Sequence, residues 1–420
     1  MVRWARRTEG RLLLLLATVV VVGLATGLTG AVQVSARGGL LDEVAGRSGP
    51  LTVAAVEVYQ ALSDADATSV SAFLTGGAES TDLRARYLGD IARANAALST
   101  AATGAATGES AARVAELANY VPTYTGLVAT ARAYSRQGHP LGATYLRMAS
   151  ELVRTTMLPA AQRLYQIEAA RLAASQARAG EPPWAALTLS VLLIGCLVGV
   201  QIYLKRRTRR LLNLGLLPAT ALSLAGMIWL AAGTAASASR GEASQRDGTG
   251  QIEPLVQARI TGLQARSDEA MTLVARGNGA VFDQHFDDAT RQLTGEGGLL
   301  NQAKATVDQP ETRDAVEAAT GAAQRWLAMH TELRKRDTEG NYTEAVRMAT
   351  DPGPASTGSL AMDLDRLLGQ AIEQANDRFY RATSNAREAL SGLAAGMAVF
   401  CALAVGAAVV GMWPRIAEYR

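Results

Sequence analysis

Apolar residues in this chain gather into four long blocks, and elsewhere they recur at helical spacing. Residues 12–36, 182–204, 211–239 and 389–414 contain no Asp, Glu, Lys or Arg. A helix needs roughly 20 residues to cross about 30 Å of hydrocarbon, and each block is long enough. A charge at mid-membrane costs about 2.5–3.5 kcal/mol, so its absence from all four predicts four transmembrane helices. The first block outruns the roughly 7–15 apolar residues of a signal peptide and reads as an uncleaved anchor.

The segments between the blocks carry helical seams instead. Leu117, Tyr120, Tyr124, Leu127, Ala131 and Tyr134 step by three and four, as do Val316, Ala319, Ala323, Trp326, His330 and Leu333. Shorter stripes run Leu141, Tyr145, Met148, Leu152 and Leu364, Leu368, Ile372, Ala375, Phe379, Ala382. Breaks are expected near Gly76-Gly77, Gly104 and Gly138-His139-Pro140, then near Gly277, Pro310 and Gly340-Asn341. Asp351-Pro352-Gly353-Pro354 marks a further loop, and Pro182-Pro183 should bend the chain where it meets the second span. Each segment therefore predicts an up-down-up-down four-helix bundle. The expected fold class is all-α: four transmembrane helices and two duplicated extracytoplasmic four-helix bundles, residues 37–181 and 240–388.

Charge orients this layout. Residues 1–11, the hinge 205–210 and the tail 415–420 together hold a net +9, although the whole chain carries only +3. Segment 37–181 balances 13 basic against 13 acidic residues, and 240–388 has 17 basic and 23 acidic. Positive residues stay inside, so both termini and the hinge are expected in the cytoplasm and both bundles outside a plasma membrane crossed four times. The hinge residues Lys205, Arg206, Arg207, Arg209 and Arg210 suit anionic lipid or a docking cytosolic protein. No nucleic-acid partner is implied. With 19% charged and 5% aromatic residues, the composition argues against a purely cytosolic enzyme. Cys196 and Cys401 both fall within spans, which leaves the outer segments without disulfides.

Corresponding features of the two halves lie about 200 residues apart, in the same orientation, as parallel repeats do. Residues 60–68 align with 264–272, matching at five of nine positions. The acidic pairs Asp64/Asp66 and Asp268/Glu269 fall in these stretches. They are expected on solvated faces or near a cap, with partner contact as the functional alternative. Arg132 and Arg136 could hold a ligand carboxylate, or form a plain surface pair. His285 lies among Asp283, Asp287 and Asp288 and reads as part of a solvated acidic turn; His330 reads as a seam histidine packed against Trp326. Nothing resembles a phosphate-binding glycine loop, a nucleophile elbow or a metal-binding helix motif, so no catalysis, cofactor or metal is expected.

Two resemblances add to this. The span–bundle–span layout, with residues 59–74 as a first helix, resembles the outer sensor module of bacterial chemoreceptors and sensor kinases, but lacks any output domain after a span. Duplicated bundles with short cytoplasmic segments resemble the actinobacterial membrane protein of the glutamate/aspartate-sensing pathway. Tyr124-Thr125-Gly126-Leu127-Val128, Tyr145-Leu146-Arg147-Met148-Ala149-Ser150, Leu158-Pro159-Ala160-Ala161 and Leu263-Gln264-Ala265-Arg266-Ser267-Asp268-Glu269 carry that likeness. It implies a signalling adaptor between an extracytoplasmic solute-binding lipoprotein and a cytosolic Ser/Thr kinase, protein kinase G. It assigns no binding residues and leaves a homodimer open. Two other readings remain beside it: a transporter or channel component, and a structural or assembly protein of the cell envelope.

Overall fold

The computed structural model describes residues 8–74, 81–105, 108–208, 215–244, 250–277, 279–351 and 353–417. These are helical nearly throughout, with no strand among the described residues, so the all-α expectation holds. They form two compact units. One comprises residues 1–44, 174–243 and 381–420; the other comprises 45–173 and 244–380.

The first unit contains four helices long and apolar enough to cross a membrane. These are α1 (Thr8–Glu43), α7 (Trp184–Thr208), α8 (Leu216–Ser244) and α15 (Leu393–Ala417). Pro182 and Pro183 stand outside α7, because proline lacks the donor a helix interior needs. Residues 211–214 of the expected third span lie outside the described residues. The fourth span begins later than its charge-free window, after a turn at Gly392, whose φ of 77° favours glycine. Helix α1 packs on α7 and α15. Its contact with α15 is close: a Cβ on Gly23 would stand 2.6 Å from Val405, and one on Gly27 would stand 3.0 Å from Cys401. Small residues one turn apart let two backbones approach where no hydrophobic drive separates protein from lipid. Outward faces are apolar: Leu28 and Val410 are each 71% exposed. In water such surface would be costly; against lipid it is satisfied. The chain is a membrane protein.

The second unit holds α2 (Gly49–Leu74), α3 (Thr81–Gly104), α4 (Glu109–Arg136), α5 (Leu141–Leu152) and all but the end of α6 (Leu158–Gly180) from the first segment. The second segment supplies α9 (Gly250–Val274), α10 (Ala280–Thr294), α11 (Leu299–Thr306), α12 (Pro310–Thr338), α13 (Tyr342–Thr350) and all but the end of α14 (Thr357–Leu390). Single π-turns interrupt the helical path at Val44–Ser48, before α2, and at Val153–Met157, between α5 and α6. Long helices α4 and α12 end where the sequence places breaks, at Gly138 and Gly340, with φ of 67° and 84°. The Gly76-Gly77 break lies outside the described residues. A break at Gly295–Gly298, between α10 and α11, is additional.

The two segments belong to one compact unit and share a core. One continuous core runs from Leu51, Tyr59 and Leu62 through Leu117 and Tyr124 to Leu255, Val316, Trp326 and Leu368. Helix α2 packs on α3 and on α9, which in turn packs on α10 and α11. The α12 seam is buried at every expected position. The α4 seam is rotated: Val114, Leu117, Val121, Tyr124, Val128 and Ala131 are buried, while Tyr120, Leu127 and Tyr134 are only half-buried. On α5 the buried face is Gly142, Leu146, Ala149 and Ser150, and the Leu141/Met148 stripe is exposed. Spacing alone cannot choose between two overlapping three-four patterns; the shared core does. Trp326, fully buried and edge-on to Phe286 at 5.5 Å, anchors that core. Trp326→Ala is expected to cost about 3–5 kcal/mol, read by denaturant unfolding. Fluorescent reporters placed in either segment should report the same shifted transition.

Candidate functional site

The aligned stretches of α2 and α9 lie at the centre of the second unit. Residues 58–70 of α2 are buried without interruption, as are 265–274 of α9. A helix enclosed on all sides is normally apolar. These two instead carry Gln60, Asp64 and Asp66 against Arg266, Asp268 and Glu269. All four acidic residues are buried, between 2% and 4% exposed, so the solvated faces expected for them are not found. The reason is packing on both sides: Asp64 meets Arg93 and Glu269 meets His330 within their own segments, while Asp66 and Asp268 meet Ser267 and Arg154 across the segments.

The charges sort onto two faces. Steps of two residues along a helix turn by about 200°, so Asp64 and Asp66 point to opposite sides. On the side of α3 and α14, Arg93 donates to Asp64 at 3.0 Å and to Asp90 at 2.7 Å. Arg259 donates to Asp365 and Gln60, each at 2.6 Å. Arg266, 5% exposed, lies 3.8 Å from the Asp64 carboxylate, too far for a hydrogen bond. Burial, and then the charge of Arg86, lowers its pKa from the ordinary value.

On the other side, Asp66 accepts hydrogen bonds from Ser150 at 2.7 Å and Ser267 at 2.9 Å. Arg154 donates to Asp268, and at 3.1 Å to Ser267, while its guanidinium lies 5.3 Å from the Phe282 ring centroid. The π-turn positions Arg154: one extra residue in the turn re-aims the side chains that follow, a device common at functional sites. These groups border a cavity of about 710 Å³ between α2, α5, the π-turn, α9 and α10. Met148, on the exposed stripe of α5, lines it.

Residues 40–177 match the family described as actinobacterial sensor domain. No curated protein and no solved structure matches the chain. The match supports an actinobacterial sensor protein with a role in sensing or signalling. It takes in α2 to α5, and with them Asp64, Asp66, Ser150 and Arg154.

The remaining expected residues scatter. Glu269 meets His330 Nδ1 at 2.7 Å and accepts from the Trp326 indole at 3.3 Å. His330 stacks on Phe286 at 3.7 Å, so its seam position is found but its closest ring is Phe286. His285 is helical rather than in a turn; it is half-exposed, 3.9 Å from Asp268, and lines the cavity. Arg132 lies 4.5 Å from the Tyr87 ring and Arg136 is exposed at the end of α4; neither lines the cavity. Lys205, Arg206 and Arg207 fall in the last turn of α7, where cations complement the helix dipole. Arg209 and Arg210 lie outside the described residues. Among the described residues no cluster of His, Cys, Asp or Glu could hold a metal. Ser63, Ser150, Arg154 and Phe282 have no signature in the sequence; only the packing of α5 and α10 against α2 and α9 assembles them.

Burial pushes the Asp66 carboxyl above its ordinary 3.8, against the opposing effects of Arg154 and the two serine hydroxyls. A folded-state pKa above the unfolded value means the folded chain holds that proton more tightly. Ionising Asp66 therefore costs stability as pH rises from 3.8 through the raised value. As pH rises above 3.8, wild type should lose stability relative to Asp66→Asn, which cannot ionise. Thermal melts of both proteins across that range check the sign.

Proposed function

We propose that the chain is a transmembrane signalling adaptor without catalytic activity of its own. It takes an extracytoplasmic glutamate/aspartate signal from a solute-binding lipoprotein and passes it to a separate cytosolic Ser/Thr kinase. It crosses the plasma membrane four times, with both termini and the basic hinge in the cytoplasm and the second unit outside. What carries this reading is a sensor-domain match on a chain that also holds four membrane-length apolar helices. The partners and the signal come from the resemblance in layout and motifs.

The α2–α9 interface gives the relay a physical element. Asp64 Oδ1 and Arg266 Nε and Nη1 are buried without a hydrogen-bond partner. Under-satisfied charges in a low-dielectric interface favour a second arrangement that pairs them better. A docked protein that bound one arrangement more tightly would shift the balance. Helix α2 follows α1 in the chain, and that connection is the route we propose for the relay. Internal duplication of the two halves is part of this proposal: α2 and α9 open their segments and pack on each other through the aligned residues.

Mild crosslinking in native membranes, affinity purification and mass spectrometry test the partners. A solute-binding lipoprotein and a soluble kinase should co-purify, and neutralising Lys205, Arg206, Arg207, Arg209 and Arg210 should deplete the kinase but not the lipoprotein. Removal of residues 45–173 and 244–380 should abolish the response of kinase output to amino acids. Unchanged output in that strain would sink the relay.

A further inference from the structure

The 710 Å³ cavity beside α2 and α9 falls within the roughly 300–1,000 Å³ of small-molecule sites. Its walls are largely apolar, with Met148, Leu158, Leu263, Met271 and Phe282 among them. Four carboxylates line it, Asp66, Glu151, Asp268 and Asp288, with Arg147, Arg154 and His285; Asp288 is paired with Arg291. Arg154 is already engaged by Asp268 and Ser267. Asp66 is not matched in this way. Its oxygens accept hydrogen bonds only from two neutral serine hydroxyls; Arg154 acts on it through its charge, without an ion pair among the described residues. A carboxylate offers about four lone-pair directions, so acceptor capacity remains. Ser63 lines the same cavity, is 4% exposed, and keeps its hydroxyl without a hydrogen-bond partner. A buried carboxylate lacking an ion pair and a buried hydroxyl lacking a partner are each costly unless something else satisfies them.

The opposite face of α2 and α9 offers a contrast. There Arg93 and Arg259, supplied by the chain, pair with Asp64 and Asp365. On the cavity face, among the described residues, no guanidinium bonds to Asp66; Arg154 donates to Asp268 and Ser267 instead.

We propose that this cavity binds a small molecule carrying a protonated amine, whose ammonium donates to Asp66 and to Ser63 while its carbon chain lies along the apolar wall. The excess of carboxylates disfavours an acidic amino acid here. Glutamate or aspartate would thus act through a separate binding protein, and the amine would be a second input. The cavity binds its amine whether or not a kinase lies downstream. A free amino acid with a cationic side chain and a simple diamine share this chemistry.

Full-length protein in lipid nanodiscs, titrated calorimetrically with lysine, putrescine and glutamate, tests the site. Saturable binding of lysine or putrescine is expected, with glutamate silent. Lysine alone identifies an amino acid as the source; putrescine, with or without lysine, shows that the amine suffices. Asp66→Asn should weaken the amine at least tenfold. If that variant fails to fold, the exposed rim positions decide: Glu151→Gln and Asp288→Asn should each weaken it about two- to fivefold, as partly screened charges do. No binding of either amine, glutamate binding as tightly as the amines, or affinity unchanged by these substitutions would overturn the proposal. None of these results depends on recovery of the lipoprotein or kinase.

Discussion

Two helices enclosed on every side, yet carrying charge, set the terms for the second unit. A buried ion left unpaired costs several kcal/mol, whereas apolar contacts tolerate small slips of one helix past another. Gln264 donates to Tyr59, Ser267 to Asp66, and Arg259 to both Gln60 and Asp365. Shifting α9 along α2 by one residue would break all of these. Polar pairing thus fixes the register, and the surrounding apolar core supplies the bulk of the burial. Each segment alone would leave part of its first helix unmatched, since Asp66 accepts from Ser267 and Asp268 from Arg154 across the segments.

The same constraint divides the interface in function. One face closes on itself through arginines supplied by α3 and α9. The other opens into a cavity whose buried Asp66 meets only serine hydroxyls. Between them lies Arg266, buried and loosely paired with Asp64, an arrangement with room to change. A sensor needs such imbalance. A ligand or docked protein biases such an interface only through differential affinity for its arrangements. The π-turn at Val153–Met157 belongs to this picture, since it places Arg154 over Asp268 from a helix that otherwise continues regularly.

The first unit uses opposite means. Its helices carry few polar groups, and Gln201 is one that is satisfied: it donates to the Leu216 carbonyl at 3.0 Å and to Thr220 at 2.8 Å. Close approach at Gly23 and Gly27, rather than charge, fits α1 to α15. Polar pairing holds one unit and small-residue packing the other, as the different surroundings of a polar interface and a lipid-facing bundle require.

The sequence by itself determined the number of apolar spans, the all-α class, most helix breaks and the α12 seam. Each rests on local chemistry: charge-free length, three-four spacing, proline, and glycine at positive φ. It did not determine that the bundles share a core, that the α4 and α5 faces are rotated, or that Asp64, Asp66, Asp268 and Glu269 are buried. An acidic residue on a helix reads as solvated unless its partner is visible, and here the partners lie 29 residues away for Arg93 and Asp64 and 114 for Arg154 and Asp268. No periodicity encodes such distances. Only the packing of α9 against α2 decides which face of each helix meets water, which meets an arginine, and which meets the cavity.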